Sequence, residues 1–254
     1  MPAMKIVGTG PRPLLLLHPY LVPGVLYVPL VAGWAAAYTC YLPDFRGYAS
    51  RADEPGPYTL AQYASDVALQ MQQQGVEAYD VLGVSMGGLV AQLLARQQAC
   101  QVQRLVLACT YAYKPRTLRE KAQRMALPRA VRRLGGRGLA RILYAELRKY
   151  GQPRLQDVLP LRQLLEQTRT EVLLENAREL FHFDARPWLP QLRQPTLVIA
   201  AAQDRMVPLH HGRQLQRLIP QARLEVIGGA AHLCCYTHAG QFWPGVFRWL
   251  SAQA

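Results

Sequence analysis

The stretch Gly83-Val84-Ser85-Met86-Gly87-Gly88 carries the clearest chemical content in this sequence. It matches G-x-S-x-G, the pattern in which a strand turns sharply into a helix and leaves a serine hydroxyl exposed at the bend. Glycines at 83 and 87 let neighbouring backbone pass where a Cβ would clash. The start of the following helix presents its positive dipole end where negative charge would develop. A serine hydroxyl is a weak nucleophile until a base takes its proton. For this pattern the acid and then the histidine follow the serine in the chain. Asp204 follows an apolar strand, and His232 follows another strand and the small-residue loop Gly228-Gly229-Ala230-Ala231. In that arrangement His232 takes the Ser85 proton and returns it to the leaving group. Asp204 fixes the imidazole tautomer and stabilises the imidazolium. The plainer reading of Asp204 is a helix-capping acid before Val207-Pro208; the other nearby acid, Glu225, sits inside a strand pattern. His210, His211 and His238 read as surface or satisfied core residues.

The elements that must position these residues alternate along the chain. Leu14–Leu17, Tyr38–Leu42, Tyr79–Val84, Arg104–Cys109, Thr196–Ala201 and Arg223–Ile227 read as strands. Between them, 59–74, 86–98, 208–219 and 238–252 read as helices. The first has apolar residues at Leu60, Tyr63, Ala64, Val67, Leu69 and Met71, Thr59 as N-cap and Gly75 as stop. Such alternation implies an α/β fold with a mostly parallel central sheet and helices on both faces. From Tyr111 to about Pro190 the pattern is helical without a strand, and Gly135-Gly136 is a point where a helix there would break. The expected division is a core of residues 1–110 and 191–254 with a helical insertion over 111–190.

Composition sets limits on partners. Half of the 254 residues are hydrophobic and 18% are charged, which excludes general disorder. The longest mostly apolar stretch, Val25–Tyr38, is broken by Pro29 and Gly33 and is too short to span a bilayer. The first residues lack the apolar region of a secretory signal, so the expectation is a soluble cytoplasmic protein. The five cysteines, at 40, 100, 109, 234 and 235, fit neither a disulfide framework nor zinc-ligand spacing, and read as buried small hydrophobes. No metal or organic cofactor is implied. The formal charge of +13 is concentrated: Lys114 to Arg154 holds thirteen Lys and Arg against two acids, Glu120 and Glu146. Such a run is commonly a solvated face, but a field of one sign also attracts anionic partners. No nucleic-acid-binding module accompanies it.

Together with the elbow, the blocks Leu17-His18-Pro19-Tyr20, Asp44-Phe45-Arg46-Gly47-Tyr48-Ala49-Ser50 and Asp204-Arg205-Met206-Val207-Pro208, followed by His232, resemble the α/β-hydrolase family over nearly the whole chain. The resemblance implies an oxyanion hole made by the backbone amides of Tyr20 and Met86, with Leu21 as an alternative donor because Pro19 replaces the usual glycine. It also implies that His18 and the Asp44 block are structural, and that the insertion is a lid over the site. Leu139, Ile142, Leu143 and Tyr144 of the lid are candidate pocket residues. In the related pimeloyl-carrier-protein methyl ester esterases, lid arginines dock an acidic carrier; Arg129, Arg132, Arg133, Arg137 and Arg141 have helix-like spacings suited to this. The implied activity is carboxylic ester hydrolysis through an acyl-enzyme. Thioester, lactone and C–C substrates use the same triad. Some members of the fold are binding proteins or receptors, and some receptors keep all three residues.

Overall fold

The computed structural model describes residues 4–114, 117–148 and 167–252. Seven strands form one sheet: β1 (Lys5–Val7), β2 (Arg12–Leu17), β3 (Tyr38–Leu42), β4 (Tyr79–Val84), β5 (Val102–Ala108), β6 (Thr196–Ala201) and β7 (Ala222–Ile227). Their spatial order is β1-β3-β2-β4-β5-β6-β7. β1 runs antiparallel to β3, and every other neighbouring pair is parallel. Burial on both faces explains why β2 to β6 read as mostly apolar runs, while the edge strands β1 and β7 are partly exposed. Leu14 and Leu16 point into the core on one side; Leu15 and Leu17 point into the core on the other.

The first core layer is covered by α1 (Leu60–Gln73), α2 (Met86–Gln97) and α5 (Leu209–Leu218). The second lies under a chain of short helical turns over 24–34 and under the final helix, α6 (Ala239–Ala252). These turns occupy the stretch whose Pro29 and Gly33 interrupt a regular helix. Thr59 caps α1, its side chain accepting from the Gln62 amide at 3.1 Å. Leu69 is 44% exposed despite its apolar type. Two residues beyond Val67 means a rotation of about 200°, which carries it to the outer face.

Between β5 and β6 lie α3 (Leu118–Arg148) and α4 (Thr170–His182). Gly135 interrupts α3 with φ 58° and ψ −172°, as the glycine pair implied. α4 belongs to the main core: Val172, Leu173, Asn176, Ala177 and Phe181 are buried. Asn176 donates to the Tyr58 carbonyl at 2.6 Å and accepts from the Tyr48 hydroxyl at 2.7 Å. One isolated antiparallel bridge, Tyr113 to Asp184, closes the base of this segment. Among the described residues, no helix is long and apolar enough to cross a membrane.

The Asp44 block folds as a turn. Asp44 Oδ1 accepts from the Gly24 amide at 3.0 Å, and Oδ2 from the Ser50 hydroxyl at 2.8 Å. Beside it, buried Asp66 accepts from Arg46 Nη2 at 2.8 Å, Arg51 Nη2 at 2.8 Å and Gln62 Nε2 at 2.7 Å. Burial alone would push the Asp66 carboxyl up, but the Arg46, Gln62 and Arg51 bonds hold it below its ordinary value. A group so depressed contributes its stability above the unfolded carboxylate value of about 3.9 and loses it as pH falls through the folded value. Replacing Asp66 with Asn removes the only carboxylate on Arg46 among the described residues and leaves Arg51 with Glu54 alone, and is expected to lower the unfolding free energy by about 2 kcal/mol at pH 7. Urea titrations at pH 7 and below pH 4 check this: the gap between variant and wild type narrows at the lower pH.

Candidate active site

Ser85 stands between β4 and α2 with φ 53° and ψ −114°. A non-glycine residue in this region costs roughly 1–3 kcal/mol and persists only where its surroundings enforce it. Here the Ser85 amide donates to the Ala108 carbonyl at 2.9 Å, and the Ser85 carbonyl accepts from the Gly88 amide at 2.9 Å and the Thr110 hydroxyl at 2.8 Å. A Cβ on Gly83 would lie 2.3 Å from the Gly87 carbonyl oxygen, and one on Gly87 would lie 2.2 Å from that of Leu17. Both glycines are therefore required by backbone packed against backbone. The second contact also brings the loop after β2 directly onto the elbow.

His232 follows β7. Its Nε2 lies 3.0 Å from Ser85 Oγ and its Nδ1 2.7 Å from Asp204 Oδ2. Asp204 Oδ1 accepts from the Met206 and Val207 amides, each at 2.8 Å. Its side chain is fully buried, yet three donors satisfy it. That set leaves the carboxylate an acceptor, makes Nδ1 the protonated imidazole nitrogen, and turns the Nε2 lone pair toward the Ser85 hydroxyl. The loops bearing acid and base are joined by Ala202 N to Ile227 O at 3.0 Å and Gln203 N to Ala230 O at 2.8 Å. The three residues singled out by motif and chain order thus meet in one hydrogen-bonded line.

Met86 opens the first turn of α2 next to Ser85, and Tyr20 stands in the loop after β2, whose Leu17 carbonyl packs against Gly87. His18 is buried: its Nδ1 donates to the Pro19 carbonyl at 2.9 Å, and its Nε2 accepts from the Phe45 amide at 3.0 Å. Burial lowers its pKa, partly offset by the Asp44 charge, so it holds the loop as a neutral ring. Leu21 takes φ 68° immediately after Tyr20.

The segment between β5 and β6 reaches the site through contacts that no local motif foretells. The Tyr20 hydroxyl donates to the Leu173 carbonyl at 3.0 Å. Lys114 Nζ donates to the Met206 carbonyl at 2.7 Å, and Gln123 Nε2 to the Arg205 carbonyl at 3.2 Å. Leu139 is buried with Val131 and Leu173 against Tyr20 and Leu21. Leu143 packs on the second core layer. Ile142, expected to line a pocket, is instead 53% exposed, because it falls on the outward side of α3. The side chain of Tyr144 lies outside the described residues.

Arg129, Arg132, Arg133, Arg137 and Arg141 are all exposed on α3. Glu120, counted against them in the charge balance, is buried, so it does not neutralise that surface. Arg116, Lys149 and Arg154 of the basic run, and the side chains of Glu146 and Arg148, lie outside the described residues. The cysteines are free thiols, four of them buried as expected; Cys100 is exposed at the turn before β5. Cys109 and Cys234 stand with their sulfurs 3.4 Å apart behind the His232–Asp204 pair. The Cys234 contact and burial push the Cys109 thiol well above its ordinary pKa, so it is neither thiolate nor nucleophile at neutral pH. Among the described residues, two clusters bring ligand-type atoms within 4.8 Å of one another: Cys109, Asp204 and His232 at the site, and Glu120, His210 and His211.

Comparison with known proteins agrees with this architecture. The family model for the alpha/beta hydrolase fold matches residues 12–239. The chain is 29% identical over 259 residues to a pimeloyl-[acyl-carrier protein] methyl ester esterase of Xanthomonas axonopodis pv. citri (strain 306), covering 98% of both chains. Among solved structures it is similar to a hydrolase from Pseudomonas aeruginosa PA01, with TM-score 0.81 and 27% identity over 97% of this chain and 93% of that one. It shares its fold with the enol-lactonase from Burkholderia xenovorans LB400, with TM-score 0.86 and 24% identity over 98% and 96% of the two chains. The strained serine turn, the parallel sheet and the match across most of the chain lead to one assignment: this protein belongs to the alpha/beta hydrolase fold family.

Proposed function

We propose that this protein is a serine hydrolase that cleaves carboxylic esters through an acyl-enzyme. The observation that carries the reading is His232, whose ring bridges Ser85 Oγ at 3.0 Å and Asp204 Oδ2 at 2.7 Å. Ser85 Oγ attacks the ester carbonyl while its proton passes to His232 Nε2, and the imidazolium then protonates the departing alkoxide. Water enters, gives its proton to Nε2 and cleaves the acyl–Ser85 bond, releasing the carboxylic acid and restoring the serine. Asp204 holds the tautomer and the charge of the imidazolium throughout. The amides of Tyr20 and Met86 receive the oxyanion of each tetrahedral intermediate. Residues 111–190 act as the lid, and its contact with Tyr20 links substrate entry to the oxyanion loop.

A carrier-bound substrate is the second reading. It is supported by the exposed Arg129, Arg132, Arg133, Arg137 and Arg141 together with exposed Met125 and Ile142, which lie on the two arms of α3 either side of Gly135. Positive charge interleaved with apolar side chains suits an acidic carrier that delivers an acyl ester or thioester. The similar Xanthomonas protein named for a carrier-bound methyl ester points the same way.

Hydrolysis of p-nitrophenyl esters from acetate to decanoate tests the first reading. Wild type turns over and Ser85→Ala falls by roughly 10⁴ or more in kcat, while Asp204→Asn falls by about 10⁴. Ester turnover unchanged in Ser85→Ala contradicts the assignment, and absence of turnover on every ester points instead to a binding member of the fold. For the second reading, Arg129→Glu with Arg133→Glu should raise KM for an acyl-carrier ester roughly tenfold, equivalent to about 1.4 kcal/mol. The wild-type KM on that substrate should also rise with salt, which kinetics between low and physiological ionic strength would detect.

A further inference from the structure

Glu120, in the first turn of α3, is 1% exposed, and His211, near the start of α5, is fully buried. The Glu120 carboxylate is held in place by a reciprocal cap: Oε2 accepts from the Thr117 amide at 2.9 Å, and the Thr117 hydroxyl accepts from the Glu120 amide at 3.2 Å. That cap directs Oε1 toward α5, where it lies 2.6 Å from His211 Nε2 and 3.4 Å from His210 Nε2. The two imidazoles lean together with ring centres 4.2 Å apart. His210 Nε2 is buried at the atom level without a hydrogen-bond partner, although its ring is 36% exposed. Burial pushes the His211 pKa down to about 4, so this imidazole is neutral at pH 7.

We propose that Glu120, His210 and His211 form a site for a divalent transition-metal ion that ties the inserted helix to the core next to the Asp204 loop. Two imidazoles and one carboxylate are the donor set of zinc-class sites with positions left open to water. Bonds of about 2.0–2.2 Å in a tetrahedral site place donor atoms roughly 3.3 Å apart. The 3.4 Å separation of Glu120 Oε1 and His210 Nε2 already fits, and His211 reaches the same spacing by retreating less than 1 Å from its present 2.6 Å. The partly exposed His210 ring gives the ion a route in. An ion there gives His210 Nε2 the partner it lacks and joins two segments ninety residues apart. Lys114 is one opposing group: its buried ammonium acts electrostatically on Glu120 while bonding the Met206 carbonyl.

Cobalt(II) titration of the metal-free full chain, read by visible absorption and by equilibrium dialysis, tests the site. One Co²⁺ per chain is expected, with d–d bands and no thiolate-to-cobalt band. Binding should weaken more than roughly tenfold in Glu120→Gln and in His210→Ala, since loss even of an outer partner of a metal ligand has that effect. Circular dichroism checks that both variants fold, and the partly exposed His210 provides the safer of the two. Binding should persist in Cys109→Ala. Three results would overturn the proposal: no binding by millimolar Co²⁺, undiminished binding in both site variants, or a thiolate band that disappears in Cys109→Ala. The last would assign the ion to Cys109, Asp204 and His232.

Discussion

The structure depends on a single steric constraint, the tight turn at Ser85. A left-handed φ on a residue with a side chain is tolerable only if the backbone on each side is fixed, and here strand β5, the start of α2 and the β2 loop all do so. Gly83 and Gly87 allow three segments of backbone to meet where any side chain would separate them. The sheet order follows the same need. With β4 central, the loops after β2, β5, β6 and β7 emerge at one edge, the place where open α/β sheets assemble their sites.

The helical segment between β5 and β6 is joined to this centre more closely than a hinged cover would be. Asn176 is buried among Tyr48, Tyr58 and Tyr63, Tyr20 bonds to Leu173, and Lys114 reaches Met206. Each contact satisfies a buried polar group, so losing one leaves an unpaired donor or acceptor that costs about 1–3 kcal/mol. The segment therefore supports the loop after β2 and the Asp204 loop while carrying an exposed basic face on its outer side. Glu120 illustrates the division: it turns inward to His211, while Arg129, Arg132, Arg133, Arg137 and Arg141 are exposed.

Much of this was legible in the residues themselves. The serine turn, the acid and the histidine were readable because each lies at the end of a strong apolar run, where period and flanking glycines agree. β3, β4 and β6 begin and end where their patterns do. Helical turns over 24–34 were not legible, because proline and glycine interrupt any single period. Leu69 and Ile142 show a second limit: apolar type does not fix which side of a helix a residue occupies. The pairing of Glu120 with His211 is a third. It joins residues 91 positions apart through tertiary packing, so local spacing carries no trace of it, and a charge count does not distinguish a buried acid from an exposed one.

The central claim is that Ser85 forms a covalent acyl intermediate, activated by His232 on Asp204. Rapid quench of the enzyme with a p-nitrophenyl ester, followed by mass spectrometry of the intact chain and its peptides, tests this most directly. The account predicts a burst of p-nitrophenol of about one equivalent, with the acyl mass on the peptide containing Ser85. Turnover with the acyl group on another residue, or with no trapped acyl-enzyme and no burst even where deacylation is slowed, would contradict it.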